Sequence, residues 1–179
     1  MQLSDFTDPF PDPKKPRPAF LAPAGVTNVA RGAKITSSDT KASADTLAKL
    51  VDGEKEGEND HIALLRKGTQ WTQVELPEAK EIYAIVIWNG HNEKKVYHDF
   101  IVQLSDDPGF SNGVVTVYNN DRDNTSGQGF GTDREFFESW EGRLIPVGGK
   151  KAKYVRYYTK GSTESALNER TEIEIYAKP

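Results

Sequence analysis

From Asn28 onward the chain alternates short apolar and β-branched runs with clusters of Gly, Asp, Asn and Pro, and the runs are too short for ordinary helices. This spacing predicts strands over residues 34–38, 61–66, 71–76, 81–88, 99–105, 114–119, 134–139, 143–147, 153–159 and 171–177. Only residues 42–50 carry a helical pattern, and no internal repeat is present. In EIYAIVIW (81–88) both parities are apolar, as expected of a central strand covered on both faces. In DFIVQLS and TEIEIYA, Phe100, Val102 and Leu104, or Ile173, Ile175 and Ala177, alternate with more polar neighbours, which gives one dry face and one mixed face. Many short strands with these two textures predict an all-β sandwich.

The first 25 residues differ. They carry most of the ten prolines, and repeated proline removes amide donors and holds each preceding residue extended, so neither a helix nor an inner strand is expected. Residues 1–27 are read as a Pro-rich extended arm and 28–179 as the sandwich domain. The arm has two readings: a linker, or a strap that docks through Phe6, Phe10, Phe20 and Leu21, whose apolar surface is costly to leave in water.

Composition narrows the partners. The net charge is −4 with Lys and Arg dispersed, so no basic stripe exists to displace counterions from phosphate, and neither nucleic acid nor an anionic membrane is an expected partner. The absence of cysteine removes disulfides, thiolate nucleophiles and Cys-ligated zinc together, without fixing a compartment. No run is long enough for a transmembrane segment, and MQLSDFTDPF has no signal-peptide pattern, which leaves open a non-exported protein or a fragment of an exported one.

Catalytic constellations are missing. His91 and His98 flank a loop without an HExxH arrangement, and there is neither a GxSxG motif nor a phosphate-cradling glycine loop, so no enzyme activity is expected. The stretch YNNDRDNTSGQGFGTD (118–133) concentrates Gly, Asp and Asn. Asp121, Asp123 and Thr125 alternate as EF-hand ligands would, but Gly127 and Thr132 stand where the seventh and twelfth ligands belong. A calcium loop and a set of side-chain-bonded turns are the two readings of this stretch.

Six further motifs stand in order: NVARGAKITSS, LVDG, WTQVELPEAKEIYAIVIW, DFIVQLSDDPGF, AKYVRYYTKG and TEIEIYA. Through them the chain resembles the discoidin family, the coagulation factor 5/8 type C domains, whose fold is a galactose-binding-like jelly roll. The resemblance implies a non-catalytic binding module, usually for carbohydrate, acting through loops at one end of the sandwich and often extracytoplasmic. The alternative is an accessory subunit that docks on a partner protein through the arm and the sandwich surface. In related carbohydrate modules these loops supply a histidine, asparagines, a basic residue and an aromatic platform. Here that implies His91, Asn92, Lys94, Asn120, Asp121 and Asn124 as hydrogen-bonding groups, with Tyr97, Phe130 or Trp140 as platform, against a reading of them as solvated loop and core residues. The family's structural calcium falls at positions matched by Asp52 and Glu172, although Glu54 replaces a shorter side chain and the usual threonine and tryptophan are missing; Asp52 capping a turn is the other reading. Arg156, on a strand, is expected to make an internal ion pair or stack, and Trp71 and Trp88 are expected in the core.

Overall fold

The computed structural model describes residues 6–57 and 59–179. Strands are β1 (Thr27–Asn28), β2 (Lys34–Ser37), β3 (Ala63–Leu65), β4 (Gln70–Asn89), β5 (Ile101–Ser105), β6 (Val115–Asn119), β7 (Arg143–Thr159) and β8 (Asn168–Ala177). All the ladders among them are antiparallel. The fold is a β-sandwich organised by the two long strands. The first part of β4 pairs with β2, its second part pairs with β8, and β7 follows β4 along both. Strands β5 and β6 extend the network from the C-terminal part of β7. The core lies between, where Val74, Leu76, Val155 and Tyr157 meet Ile85, Ile87, Ile173 and Ile175.

The expected strands 71–76 and 81–88 are thus one strand, and so are 143–147 and 153–159. In β4 the register breaks between Glu75 and Lys80. Pro77 sits in that break, where a missing amide costs no ladder bond. In β7, Gly148 and Gly149 (φ +73° and +84°) let the chain turn without leaving the sheet. Segment 134–139 forms no ladder and makes only isolated bridges, Thr7 with Glu135 and Val96 with Phe137. Segment 61–66 shortens to β3 because His61 ends a single 3₁₀ turn. The helical segment is α1 (Ala44–Ala48), capped where the Ser43 hydroxyl accepts from Thr46 N at 3.1 Å, and a 3₁₀ turn continues it. Together they bury Leu47, Leu50 and Val51.

The two-sided apolarity of EIYAIVIW has an unusual cover. Ile85 and Ile87 face the core, while Ala84, Val86 and Trp88 lie opposite Tyr176, Glu174 and Glu172 of β8 on the outer face. The described part of the arm crosses that face. Phe6 O accepts from Glu135 N at 2.8 Å, and Asp8 N donates to Glu135 O at 2.7 Å. The Asp8 carboxylate joins Arg134 (2.9 Å) and Arg143 (2.8 Å). The Phe10 ring meets Phe137 edge-on at 6.0 Å, a contact worth about 1 kcal/mol beyond its buried area. Arg17 then binds Glu141 through its backbone N and the Gly142 carbonyl through its guanidinium, both at 2.7 Å. Beyond it a half-open cavity of about 530 Å³ separates the arm from Ala84, Val86, Leu144 and Tyr176. Leu21, expected to seek cover, is 91% exposed.

Arg156 stacks between the Trp71 and Phe110 rings, 4.1 Å from each centroid, and donates to Gln73 Oε1 through Nε (2.8 Å) and Nη2 (2.6 Å). Stacking, not an ion pair, therefore holds it. Trp88 is buried as expected, whereas Trp71 is half-buried, with one face covered by the guanidinium.

Candidate functional site

Strand order assembles one end of the sandwich from distant loops. β4 ends at Asn89, and Ile101 of β5 pairs with both Asn119 of β6 and Tyr158 of β7, so the segments after Asn89, Asn119 and Thr159 emerge side by side. Backbone bonds join them: Lys160 N to His98 O (2.8 Å), His98 N to Gly161 O (3.0 Å), and Thr163 N to Val96 O (2.9 Å).

Within 118–133 most polar groups bond to the stretch itself or to the sheet. The loop is pinned at its base by Asp133 N on Asn119 O (2.9 Å) and Gly131 N on Asp121 O (2.6 Å). Asn120 is buried, its Oδ1 accepting from Phe100 N at 2.8 Å. Asp121 is 1% exposed; its carboxylate accepts from Thr125 N (3.2 Å) and Ser126 N (2.9 Å). Asn124 Oδ1 accepts from Gly129 N at 2.7 Å. These groups, expected to face a ligand, instead shape the loop, because such closely spaced turns need side-chain acceptors for their amides. The side chains of Asp121, Asp123 and Asn124 make side-chain-bonded turns here. Asp99, Asp121 and Asp123 nevertheless offer oxygens within 4.8 Å of one another. Burial, then the charges of Asp121 and Asp123, push the Asp99 carboxyl above its ordinary range, and Lys160 Nζ lies 3.7 Å away. Phe130, 75% exposed, is the aromatic that this loop presents to solvent.

The loop after β4 is better anchored than its composition suggests. His91 Nε2 lies 2.8 Å from Lys55 O, and Asn92 is exposed with its Oδ1 accepting from Lys95 Nζ at 3.2 Å. Lys94 turns toward the arm, 5.2 Å from the Phe10 centroid and 4.5 Å from that of Phe137. Tyr97, expected as a platform, is 1% exposed, with its hydroxyl 3.1 Å from both Gly90 O and Glu169 Oε2. Its ring belongs to the interior because the loop folds back over it. Trp140 is 42% exposed on a turn beside Trp88, whose indole N–H donates to the Trp140 carbonyl at 2.9 Å.

Three residues that the sequence reading passed over hold this loop: Lys95, Glu138 and Glu169. Lys95 is 2% exposed and bonds Glu169 at 2.7 Å. Glu138 is buried against Asn89, Nδ2 to Oε1 at 2.6 Å, and burial pushes its carboxyl up to about 7. The available signal was the carboxylate of Glu138 inside the aromatic run FFESW.

Asp52 and Glu172 come together behind the loop end. Gly53 N donates to Glu172 Oε1 at 3.2 Å, and Asp52 Oδ1 accepts from Glu54 N at 2.8 Å, the turn-capping bond. Glu172 is fully buried with Oε2 unpartnered, and burial, joined by the charges of Asp52 and Glu174, raises its carboxyl to about 8. Lys55 pairs with Glu174 at 2.7 Å and covers the Trp88 ring at 4.8 Å.

No protein-family model and no curated protein matches the chain. Solved structures do. The CBM32 module of AlyQ, in complex with 4,5-unsaturated mannuronic acid, is 16% identical with a TM-score of 0.57, over 79% of this chain and 92% of that one. Chitosan-binding module 1 of a chitosanase/glucanase from Paenibacillus sp. IK-5 is 19% identical with a TM-score of 0.59, over 84% and 99%. A fucose-binding module of Streptococcus pneumoniae, SpX-3, is 18% identical with a TM-score of 0.57, over 86% and 99%. The fold these modules share with the chain is a β-sandwich. Nearly the whole length of each of these modules is matched.

Proposed function

We propose that the chain is a non-catalytic carbohydrate-binding module of discoidin type that takes saccharide on the loop end formed by segments 90–98, 120–133 and 160–167. The observation that carries the reading is the pairing, at that end, of an aromatic face held out to solvent, Phe130, with exposed hydrogen-bonding groups on a braced loop, Asn92 foremost. Sugars present flat C–H faces and rings of hydroxyls, and such an end meets both. The similar solved modules, one in complex with 4,5-unsaturated mannuronic acid and others that bind chitosan and fucose, support the class of ligand. The arm's Asp8 and Arg17 are engaged with this chain's own sandwich, which favours a module over a subunit strapped to another protein. Calorimetry against a panel of neutral and acidic saccharides, with Phe130→Ala and Asn92→Ala beside the wild type, tests it. Binding at millimolar sugar or better, weakened about 5- to 30-fold by Phe130→Ala for a stacking contact of about 1–2 kcal/mol, is the expected result. No binding to any member of the panel would sink the reading.

A structural calcium belongs to the same proposal. The residues fit it in their chemistry: Glu172 supplies an unpartnered buried oxygen and Asp52 an exposed second carboxylate, hard donors of the kind calcium takes. Bound there, the ion would supply positive charge between carboxylates that otherwise repel.

A further inference from the structure

Segment 90–97 is closed at both ends by one side chain's residue. Glu138 holds Asn89, the last residue of β4, through Nδ2 to Oε1 at 2.6 Å and backbone N to Oε2 at 3.4 Å, and its own backbone N donates to Lys95 O at 2.9 Å. The bridge between Val96 and Phe137 continues that closure by one residue. Beneath the loop, Lys95, Tyr97 and Glu169 form a second knot, joined to Gly90 O and Asn92 Oδ1. Glu138 is 1% exposed and, among the described residues, makes no ion pair. Its charged and titratable surroundings are Lys95, already bonded to Glu169; Arg143 of β7, already bonded to Asp8; and Tyr97, which also faces Glu169 and Arg170. A carboxylate buried without a cation favours its neutral form.

We propose that Glu138 is a positioning residue for the carbohydrate loop and operates as a proton-dependent clamp: the neutral acid keeps segment 90–97 closed, and ionisation loosens it. This deepens the reading above and rests on it for the ligand. Asn89 has an acceptor to spare for a protonated carboxyl, since its Oδ1 is buried without a partner while its Nδ2 meets Glu138. When the carboxyl is protonated the amide turns over, and the acid O–H donates to Asn89 Oδ1 across the same 2.6 Å, a separation ordinary for O–H···O. When it is ionised, a charge sits in the interior with only amide donors, and opening the loop hydrates it.

The linkage fixes the sign. The carboxyl titrates at about 7 in the closed form against 4.5 when hydrated, so closure is favoured fully below pH 4.5 and that preference is lost as pH rises to 7. The corresponding change in the opening equilibrium is up to about 300-fold across that window.

Hydrogen exchange of segment 90–97, corrected for intrinsic rates, is measured from pH 4.5 to 8.5 on the wild type and Glu138→Gln, with saccharide titrations at the same pH values. The glutamine retains the hydrogen bonds and cannot ionise. Protection and affinity that both fall with pH in the wild type but stay flat in Glu138→Gln are expected. A fall retained in Glu138→Gln assigns the effect to another group and overturns the proposal. Carboxyl-carbon NMR of wild-type Glu138 is independent of that variant's folding: a midpoint near 7 supports the clamp, and one near 4.5 overturns it. PH-dependent protection that is confined to the wild type, without saccharide binding at any pH, keeps the clamp and removes the carbohydrate reading instead.

Discussion

Gly131→Ala tests how the 118–133 loop is closed. Gly131 has no left-handed backbone to protect; what it provides is absence of bulk, since a Cβ there would lie 2.2 Å from Asn119 O, 2.4 Å from Asn119 Oδ1 and 2.5 Å from Asn119 C. Atoms pack comfortably at roughly 3.5 Å, so the methyl must be displaced by about 1 Å against a strand end whose backbone cannot yield as a flexible side chain does. That shift strains the Gly131 N to Asp121 O bond and the Asp133 N to Asn119 O bond. Overpacking costs about 1–3 kcal/mol and each of the two hydrogen bonds, if lost, about 1 kcal/mol, which puts the total at about 3–5 kcal/mol unless the loop detaches as a unit. Gly127→Ala is the internal comparison: φ is +76° there and nothing lies within 4 Å of the added methyl, so only left-handed strain of about 1–2 kcal/mol applies. Urea unfolding followed by tryptophan fluorescence gives both values, and amide exchange in 119–133 reports detachment. Gly131→Ala within about 0.5 kcal/mol of wild type, with loop exchange unchanged, would refute the close-approach argument.

Two further outcomes are expected. Arg156→Lys loses both the planar stack between Trp71 and Phe110 and the two donors to Gln73, so chemical denaturation is expected to show a loss of about 2–3 kcal/mol despite the retained charge. Because Glu172 titrates at about 8 when folded and 4.5 when unfolded, its contribution to stability is complete below pH 4.5 and is lost as pH rises to 8. In chelator, melting temperature therefore falls across that window. Added calcium raises it more at pH 8.5 than at pH 6, with an accompanying release of protons, and Glu172→Gln removes both effects.

The sandwich was legible because alternation and turn chemistry act locally: Phe100, Val102 and Leu104, or Ile173, Ile175 and Ala177, reach the core as their pattern requires. EIYAIVIW announced two covered faces, but not that a proline-rich segment supplies part of the outer cover, since the arm is held by scattered side-chain pairings that carry no period. Strand boundaries failed at Pro77 and Gly148, where bends that punctuate a sequence turned out to lie inside continuous strands. In the candidate site, residue type was a poor guide to direction. Asp121 and Tyr97 point inward because loop amides and the half-buried carboxylate of Glu169 needed partners, while Phe130 and Asn92 remain outside. Glu138 was missed because its meaning depends on Asn89 and Lys95, which lie more than 40 positions earlier in the chain.

The path of the arm also dictates how the molecule should be held. Arg122 of the long loop lies over the Phe6 ring at 4.1 Å, so Phe6 sits at the loop end of the domain. The last strand runs the other way, from Asn168 near those loops to Ala177 beside Thr27 and Ile82 at the far end. A sensor surface, bead or fluorescent protein joined at Pro179 therefore presents the loops outward. Orientation on a support is therefore itself a readout of which end binds.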